Sequence, residues 1–414
     1  MPDRHAPDGV SRRRTLTWLG AAAGCGALGP RAGGVAAAWG DVAPPSLSKP
    51  QSQAEPVPAG PKPRVTAFAS GLTYPWGLAV LPDGRALLSE RPGRLRLVGG
   101  DGSLSAAIAG IPTVDARDQG GLLDIAADPD FRNNRRLYFS FAEPGKGAEA
   151  GLNGTAVARG VLSADATRLS EVQVIFRQTP KVDSTAHFGS RLVFARDGSL
   201  FVTLGERSSR RDEAQNLANT LGKVVRIRSD GSVPADNPFV GRAGAMPTIW
   251  SLGHRNVQGA AIHPETGELW TCEHGPQGSD EVNIDRAGHN FGWPRISFGC
   301  AYGTPVGDCT PVGGASAAPG LDQPLTTWVP TSIAPSGMAF YTGSMFPQWH
   351  GSLFIGALAG KALWRLSLDG NRVVAREALF RELGERIRDV RQAPDGSILL
   401  LTDSSDGRIL RLQA

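Results

Sequence analysis

Cysteine is scarce in this chain, with four residues in 414, and no two of them stand as Cys-x-x-Cys. That spacing excludes the usual thiolate zinc and iron–sulfur motifs. An excess of one charge is missing as well. The 43 Lys and Arg against 39 Asp and Glu leave a net +4, part of it in the first residues, which implies no nucleic-acid footprint. The apolar run near the N-terminus, Thr15 to Leu28, is shorter than the roughly 20 residues that cross a bilayer. What the chain has in quantity is glycine (53) and proline (31), alongside 41% hydrophobic residues. Such a composition suits many short strands joined by turns around a packed core, and argues against global disorder.

The N-terminus is set aside first. Ser11-Arg12-Arg13-Arg14 ahead of the weakly apolar run has the form of a twin-arginine export signal, so the chain is expected to be exported and periplasmic. Cleavage is expected after Ala36-Ala37-Ala38, giving a signal over 1–38. Ala22-Ala23-Gly24-Cys25 loosely resembles a lipoprotein cleavage box, and a lipid anchor at Cys25 is the tethered alternative. Residues 39–63, rich in Pro, Ser, Ala and Gln, read as a linker. The folded domain is expected over 64–414. Cys300 and Cys309 flank a short Gly/Pro loop and are expected to form a local disulfide, while Cys272 in a strand-like run is expected as a buried free thiol.

Within 64–414 one unit recurs six times: an apolar strand, an Asp/Gly/Pro turn, and a second apolar strand. The first strands begin near Gly77, Leu122, Arg191, Gly259, Gly337 and Ile387. Most copies continue into a third strand with alternating polar residues, such as Arg94-Leu-Arg-Leu-Val98 and Arg408-Ile-Leu-Arg-Leu412. Unbroken apolar runs mark strands buried on both faces, and alternation marks a strand with one wet face. Six such steps from buried to half-exposed give an all-β fold: a six-bladed β-propeller with four-stranded antiparallel blades. The strand Arg64–Ala69 is expected to join the last blade and close the ring. A two-domain or sandwich arrangement is the weaker reading against six copies of one unit.

Polar segments beside the inner strands carry the chemistry. They are Asp118-Gln-Gly-Gly121, His187-Phe-Gly-Ser-Arg191, His254-Arg-Asn-Val-Gln-Gly259, Glu273-His-Gly-Pro-Gln-Gly-Ser-Asp-Glu281 and Arg386-Ile-Arg-Asp389. An imidazole is a general base near neutral pH. Arg255, Arg386 and Arg388 suit a planar acidic ligand, because a guanidinium pairs bidentately with carboxylates. The Gly275–Glu281 loop offers carbonyls and carboxylates, hard oxygen donors that favour Ca²⁺.

These segments, in this order and over essentially the whole of 64–414, resemble the soluble pyrroloquinoline-quinone (PQQ) dependent aldose sugar dehydrogenases, the glucose/sorbosone dehydrogenase family. The most specific pieces are His-Arg-Asn-x-Gln-Gly at 254–259, Glu-His-Gly-Pro with Asp-Glu at 273–281, and Arg-Ile-Arg-Asp at 386–389. The resemblance implies oxidation of an aldose at the anomeric carbon, with His187 as the base that takes the hydroxyl proton while hydride passes to PQQ. It implies that Gln119, Arg255, Asn256, Arg386 and Arg388 hold the quinone, and that Gly275 and Pro276 carbonyls with the Glu281 side chain bind the cofactor's Ca²⁺. Phe291 stands where the family usually has Tyr and is expected to ligate through its carbonyl. His274 is expected to touch the cofactor and His254 to play a supporting role.

Two positions depart from the family pattern. Glucose-specific relatives have an acidic residue before the histidine, where this chain has Ala186; either Asp183 orients the imidazole instead or no residue does. The family's blade-five lysine is replaced by Ala359, with Lys361 as the candidate substitute. Trp328 is read equally as a cofactor wall or as core. Two other functional classes stay open, a Ca²⁺-dependent propeller lactonase and a non-catalytic sugar-binding propeller. The sequence names neither the sugar, the electron acceptor nor the oligomeric state.

Overall fold

The computed structural model describes residues 63–305 and 309–414. The export segment, Cys25 and linker residues 39–62 lie outside the described residues. Six antiparallel sheets follow one another along the chain. Their inner strands are Pro75–Val80, Leu122–Ala127, Gly189–Phe194, Val257–Ile262, Pro335–Phe340 and Ile387–Gln392, which define blades I to VI. Each inner strand packs beside the next, and the first packs beside the last, so the ring is closed. The expected six-bladed β-propeller is what forms.

Five sheets have four strands. Blade I has three, and its fourth position is taken by the irregular segment after Gly102: Leu104 bridges Val98, and Ser105 and Ile108 donate backbone hydrogen bonds to Leu97 and Leu95. The N-terminal strand Arg64–Leu72 pairs antiparallel with the C-terminal Gly407–Gln413 as the outer strand of blade VI. The two ends of the described domain are thereby hydrogen-bonded together, as the sequence predicts.

The inner strands are irregular at one repeated point, and a small polar side chain on the second strand explains how the ladder tolerates it. Ser89, Ser140 and Thr203 each accept from an inner-strand N–H of their own blade (Gly77, Asp124 and Arg191, 2.9 Å in each case). Each also donates to a carbonyl of the next blade: Leu123, Ser190 and Val257. Cys272 fills the same position in blade IV, its thiol directed at Ser336 O, 3.2 Å away. This is the buried free thiol expected from the sequence, and burial pushes its pKa far above the usual range. A buried donor left unpaired costs about 1–3 kcal/mol, so a hydroxyl recurring in otherwise apolar strands both satisfies the bulge and staples neighbouring blades.

A charged network lies among the inner strands. Arg191 is buried between Asp124 (3.1 Å) and Asp389 (3.2 Å), donates to the Gln258 and Arg388 carbonyls, and lies 4.2 Å from the Trp76 ring centre. One guanidinium thus joins blades II, III, IV and VI. The Cys300–Cys309 disulfide is present.

Candidate functional site

In an antiparallel blade the start of strand one, the end of strand two and the start of strand three lie at the same end. Gln119, His187, Arg255, Asn256, Arg386 and Arg388 stand at or just before inner strands. His274 to Ser279 and Lys361 stand between second and third strands, and Asp280 and Glu281 open the third strand of blade IV. Topology alone therefore brings these residues to one end of the ring, and Phe291, in the long loop after the third strand of blade IV, is held by its N–H donating to Leu252 O (2.9 Å).

His187 adopts a left-handed backbone, φ 53°, and its side chain is nearly buried. Its N–H donates to Gln119 Oε1 (3.0 Å), 68 positions away. Its Nδ1 lies 2.8 Å from Glu206 Oε2. A carboxylate accepts and does not donate here, so Nδ1 carries the proton and Nε2 keeps its lone pair. Glu206 is buried and also accepts from the Ser208 N–H, which fixes its own orientation. The expected role of Asp183 is therefore corrected: Asp183 is an exposed partner of Arg210 at 3.4 Å, and Glu206 orients the imidazole.

Blade IV supplies the next layer. Asn256 Oδ1 accepts from Gly189 N–H (3.1 Å), and its buried Nδ2 has no partner. Arg255 donates to His274 O (3.1 Å), lies 5.4 Å from the Trp293 ring centre, and has no carboxylate partner among the described residues. His274 Nε2 donates to Pro335 O (2.8 Å); burial, reinforced by Arg255, lowers its pKa to about 3, so the imidazole is neutral. His254 is instead an internal brace: Nδ1 meets Glu273 at 2.9 Å and Nε2 meets Ser251 at 2.8 Å, with the Phe291 ring stacked 4.7 Å away. Burial opposes its charge, but Glu273 and Asp285 raise its pKa overall.

Arg388 is buried, donates to Gln258 Oε1 (2.7 Å), and its Nε has no partner; burial lowers its pKa to about 10. Arg386, 44% exposed at its side chain, pairs with Asp403 at 2.9 Å, and Arg388 approaches the same carboxylate at 3.2 Å. The two arginines do converge on one anion, and in this structure it is Asp403.

The Gly275–Glu281 loop is largely buried, Asp280 fully and Glu281 partly. Asp280 accepts three backbone N–H groups, from Gly275, Ile333 and Ala334, and is structural. Glu281 lies directly across the strand pair from Glu273. Burial, then the facing Glu273 charge, drives the Glu281 pKa well up. Gly275, Pro276, Glu273, Glu281 and Phe291 line one small cavity of about 10 Å³, roughly the room one water needs. A side chain at Gly275 would strike Ser279 O at 1.7 Å, so only glycine allows this backbone approach.

Lys361 stands apart, exposed on the blade V hairpin at φ 44° and without an ion pair among the described residues. Trp328 is buried with Ile333 and Met338 and packs edge-on to Trp364 at 5.5 Å, which makes it core rather than cofactor wall. Residues the sequence reading missed are Glu206, Arg207 and Asp403. The two acids had a signal: an acidic residue ends or closely follows the second strand in blades I, III, IV and VI, as Glu90, Glu206, Glu273 and Asp403.

A family model described as Glucose / Sorbosone dehydrogenase matches residues 72–411. The chain belongs to this family. The glucose/sorbosone dehydrogenase domain is 44% identical over 349 residues to the aldose sugar dehydrogenase YliI of Escherichia coli, covering 84% of this chain and 92% of that one. It is 28% identical over 409 residues to quinoprotein glucose dehydrogenase B of Acinetobacter calcoaceticus, covering 81% and 84%. Among solved structures, a glucose dehydrogenase shares 51% identity at TM-score 0.80, covering 85% of this chain and all of that one. The PQQ-bound aldose sugar dehydrogenase of Streptomyces coelicolor shares 28% identity at TM-score 0.70, covering 85% and 98%.

Proposed function

We propose that this sugar dehydrogenase is a PQQ- and Ca²⁺-dependent enzyme that oxidises aldoses at the anomeric carbon to lactones. The observation that carries the reading is the His187–Glu206 pair, a base with its lone-pair nitrogen free, set beside guanidinium and amide donors that protein acceptors leave unfilled. Asn256 Nδ2 and Arg388 Nε are buried and unpartnered, each at a cost of about 1–3 kcal/mol that a bound acceptor would relieve. Arg255 and Arg388 suit planar carboxylates, and the Arg255 charge lacks a counterion among the described residues. The facing carboxylates Glu273 and Glu281, with the carbonyl-bearing Gly275-Pro276 turn beside them, fit a hard divalent cation. No group of three or more His, Cys, Asp or Glu side chains is arranged for a metal among the described residues, so this set depends on backbone carbonyls.

Gln119, Arg255, Asn256, Arg388 and, at the rim, Arg386 would hold the quinone, with His274 as a neutral wall. Gly275, Pro276, Glu281 and the Phe291 carbonyl would hold Ca²⁺. When bound, the quinone supplies a two-electron acceptor and Ca²⁺ a Lewis acid that polarises its carbonyl. His187 Nε2 takes the proton of the anomeric hydroxyl, and the imidazolium so formed is stabilised through Nδ1–H by Glu206. Hydride leaves the anomeric carbon in the same step, and the sugar forms no covalent bond to the chain. The paired arginines ahead of the N-terminal apolar run support an exported, periplasmic enzyme, tethered if Cys25 is lipidated.

The test is aldose oxidation by the apoprotein with a dye acceptor, with and without PQQ plus Ca²⁺, beside His187→Ala. Activity that needs both additions and collapses in the variant supports the whole reading. Absence of PQQ binding sinks it in favour of a lactonase or a sugar-binding propeller.

A further inference from the structure

Arg207 is fully buried, and no carboxylate lies within ion-pairing distance of its guanidinium among the described residues. An unpaired buried cation costs several kcal/mol unless its donors are satisfied. Here they are satisfied by the segment that carries His187 and by Asn153. Nε donates to Ala186 O (2.9 Å), and Nη2 donates to Ser184 O and to Asn153 Oδ1 (2.6 Å). Nη1 donates to Asn153 O (3.2 Å), and the guanidinium carbon sits 3.8 Å from the Phe188 ring centre. Burial lowers the Arg207 pKa to about 10, which leaves it charged at neutral pH.

The segment it grips is one that would not hold its shape alone. His187, Gly189 and Ser190 have φ of 53°, 65° and 90°, and non-glycine residues reach such angles at a cost of about 1–3 kcal/mol each. Arg207 bonds two carbonyls N-terminal to the histidine and packs on the ring that follows it. Its chain neighbour Glu206 holds the imidazole itself. The far side of the clamp is anchored: Asn153 Nδ2 donates to Asp115 (2.9 Å), and Asp115 is ion-paired to Arg117 at 2.5 Å. The backbone at Gly205 also presses on the histidine, since a Cβ there would meet His187 O at 2.0 Å.

We propose that Arg207 is a positioning residue for the reaction: its guanidinium fork locks the Ser184–Phe188 segment so that His187 meets both Glu206 and the sugar. This rests on His187 being the base. A planar fork is required, because four acceptor atoms on three residues lie around one group and an ammonium on a flexible stem would not span them.

The test uses Arg207→Lys in the full chain and has a readout without cofactor. The apoprotein contains two buried imidazole–carboxylate pairs, His187–Glu206 at 2.8 Å and His254–Glu273 at 2.9 Å, and each should give a downfield Nδ1–H proton resonance assignable with His187→Gln. In Arg207→Lys the His187 resonance is expected to broaden or vanish while that of His254 stays. In the loaded enzyme kcat is expected to fall about 10–100-fold, with KM for the sugar and PQQ affinity within about threefold of wild type, since small misplacements cost that much. If Arg207→Lys does not fold, Asn153→Ala, which keeps the bonds to Ser184 and Ala186, is expected to lose about 3–10-fold in kcat by the same loosening. A retained His187 resonance with unchanged kcat in whichever variant folds overturns the proposal. So does a loss of PQQ affinity as large as the loss of kcat, which would mark a general structural role. If His187→Ala itself leaves activity intact, the reading of the base fails, and the resonance experiment still decides the clamp.

Discussion

Glu206 and His187 meet at 2.8 Å across the neck of one blade, although 19 positions separate them and the histidine has no acidic neighbour at position 186. The inner strand of blade III starts just after His187, and the second strand ends just before Glu206. Antiparallel pairing therefore returns the carboxylate to the imidazole. An orienting acid can thus be supplied from the opposite end of a hairpin rather than from the adjacent residue, and the two sources differ in consequence. A carboxylate in the hairpin holds Nδ1 and leaves position 186 to a small apolar side chain.

Glu206→Gln is expected to lower kcat about 10²–10³-fold with a smaller change in KM. The amide can present its NH₂ to Nδ1, which stabilises the tautomer with the proton on Nε2, the wrong nitrogen for a base, and removes the countercharge for the imidazolium. Steady-state kinetics on the loaded enzyme check this, and a kcat within threefold of wild type would remove Glu206 from the mechanism.

Arg388 and Arg386 are expected to differ although they stand two residues apart. Arg388 is buried with an unpartnered Nε, whereas Arg386 is 44% exposed and already paired with Asp403. Arg388→Lys is expected to weaken PQQ binding about 10–100-fold, and Arg386→Ala less than about fivefold, because exposed pairs contribute little. Titrating apoprotein with PQQ separates them; equal losses would show that Arg386 binds the cofactor as directly as its neighbour.

The repeat, the ring closure and the gathering of the loops were legible because they follow from strand period and antiparallel geometry, which act locally. Arg64–Ala69 could be assigned to blade VI from sequence for the same reason. Partner choice within the site was less legible. Nothing in the chain between Asp183 and Glu206 says which acid reaches His187; that depends on burial, and Asp183 is left in solvent. Arg207 was overlooked because a lone arginine after a strand is ordinarily solvated, and only the fold reveals that its surroundings are carbonyls. Lys361 was chosen by counting along the chain from the family's lysine, and in the fold it is exposed on the blade V hairpin, so its reach depends on a turn conformation that counting does not give.

Glu281→Gln separates metal binding from the rest of the site. Burial and the facing Glu273 push Glu281 towards its protonated, neutral form without metal, so a neutral amide at 281 should cost the apoprotein little. Wild type is expected to be stabilised by Ca²⁺ relative to chelator in proportion to ligand occupancy, and Glu281→Gln to show a much smaller rise in Tm. Calcium titration followed by thermal unfolding measures both. An equal rise in the two proteins would move the cation away from Glu281.

Lys223 gives the pH dependence of stability a defined sign. Its Nζ is buried and donates to Glu213 O (2.8 Å) and Leu221 O (2.6 Å), and burial, weakly opposed by Glu213, lowers its pKa from 10.5 to about 7. Between pH 7 and 10.5 the unfolded chain therefore holds a proton on this group that the folded chain has released. The unfolded state binds more protons, so this lysine makes stability rise with pH across that window, by at most about 1.4 kcal/mol per unit, and contributes no slope below it. Lys223→Met removes the term. The difference in unfolding free energy, wild type minus variant, is expected to grow by about 1 kcal/mol per unit between pH 7.5 and 9.5 in denaturant titrations. A difference that stays flat over that range would mean the ammonium remains charged inside the fold, held by its two carbonyls and the nearby Glu213.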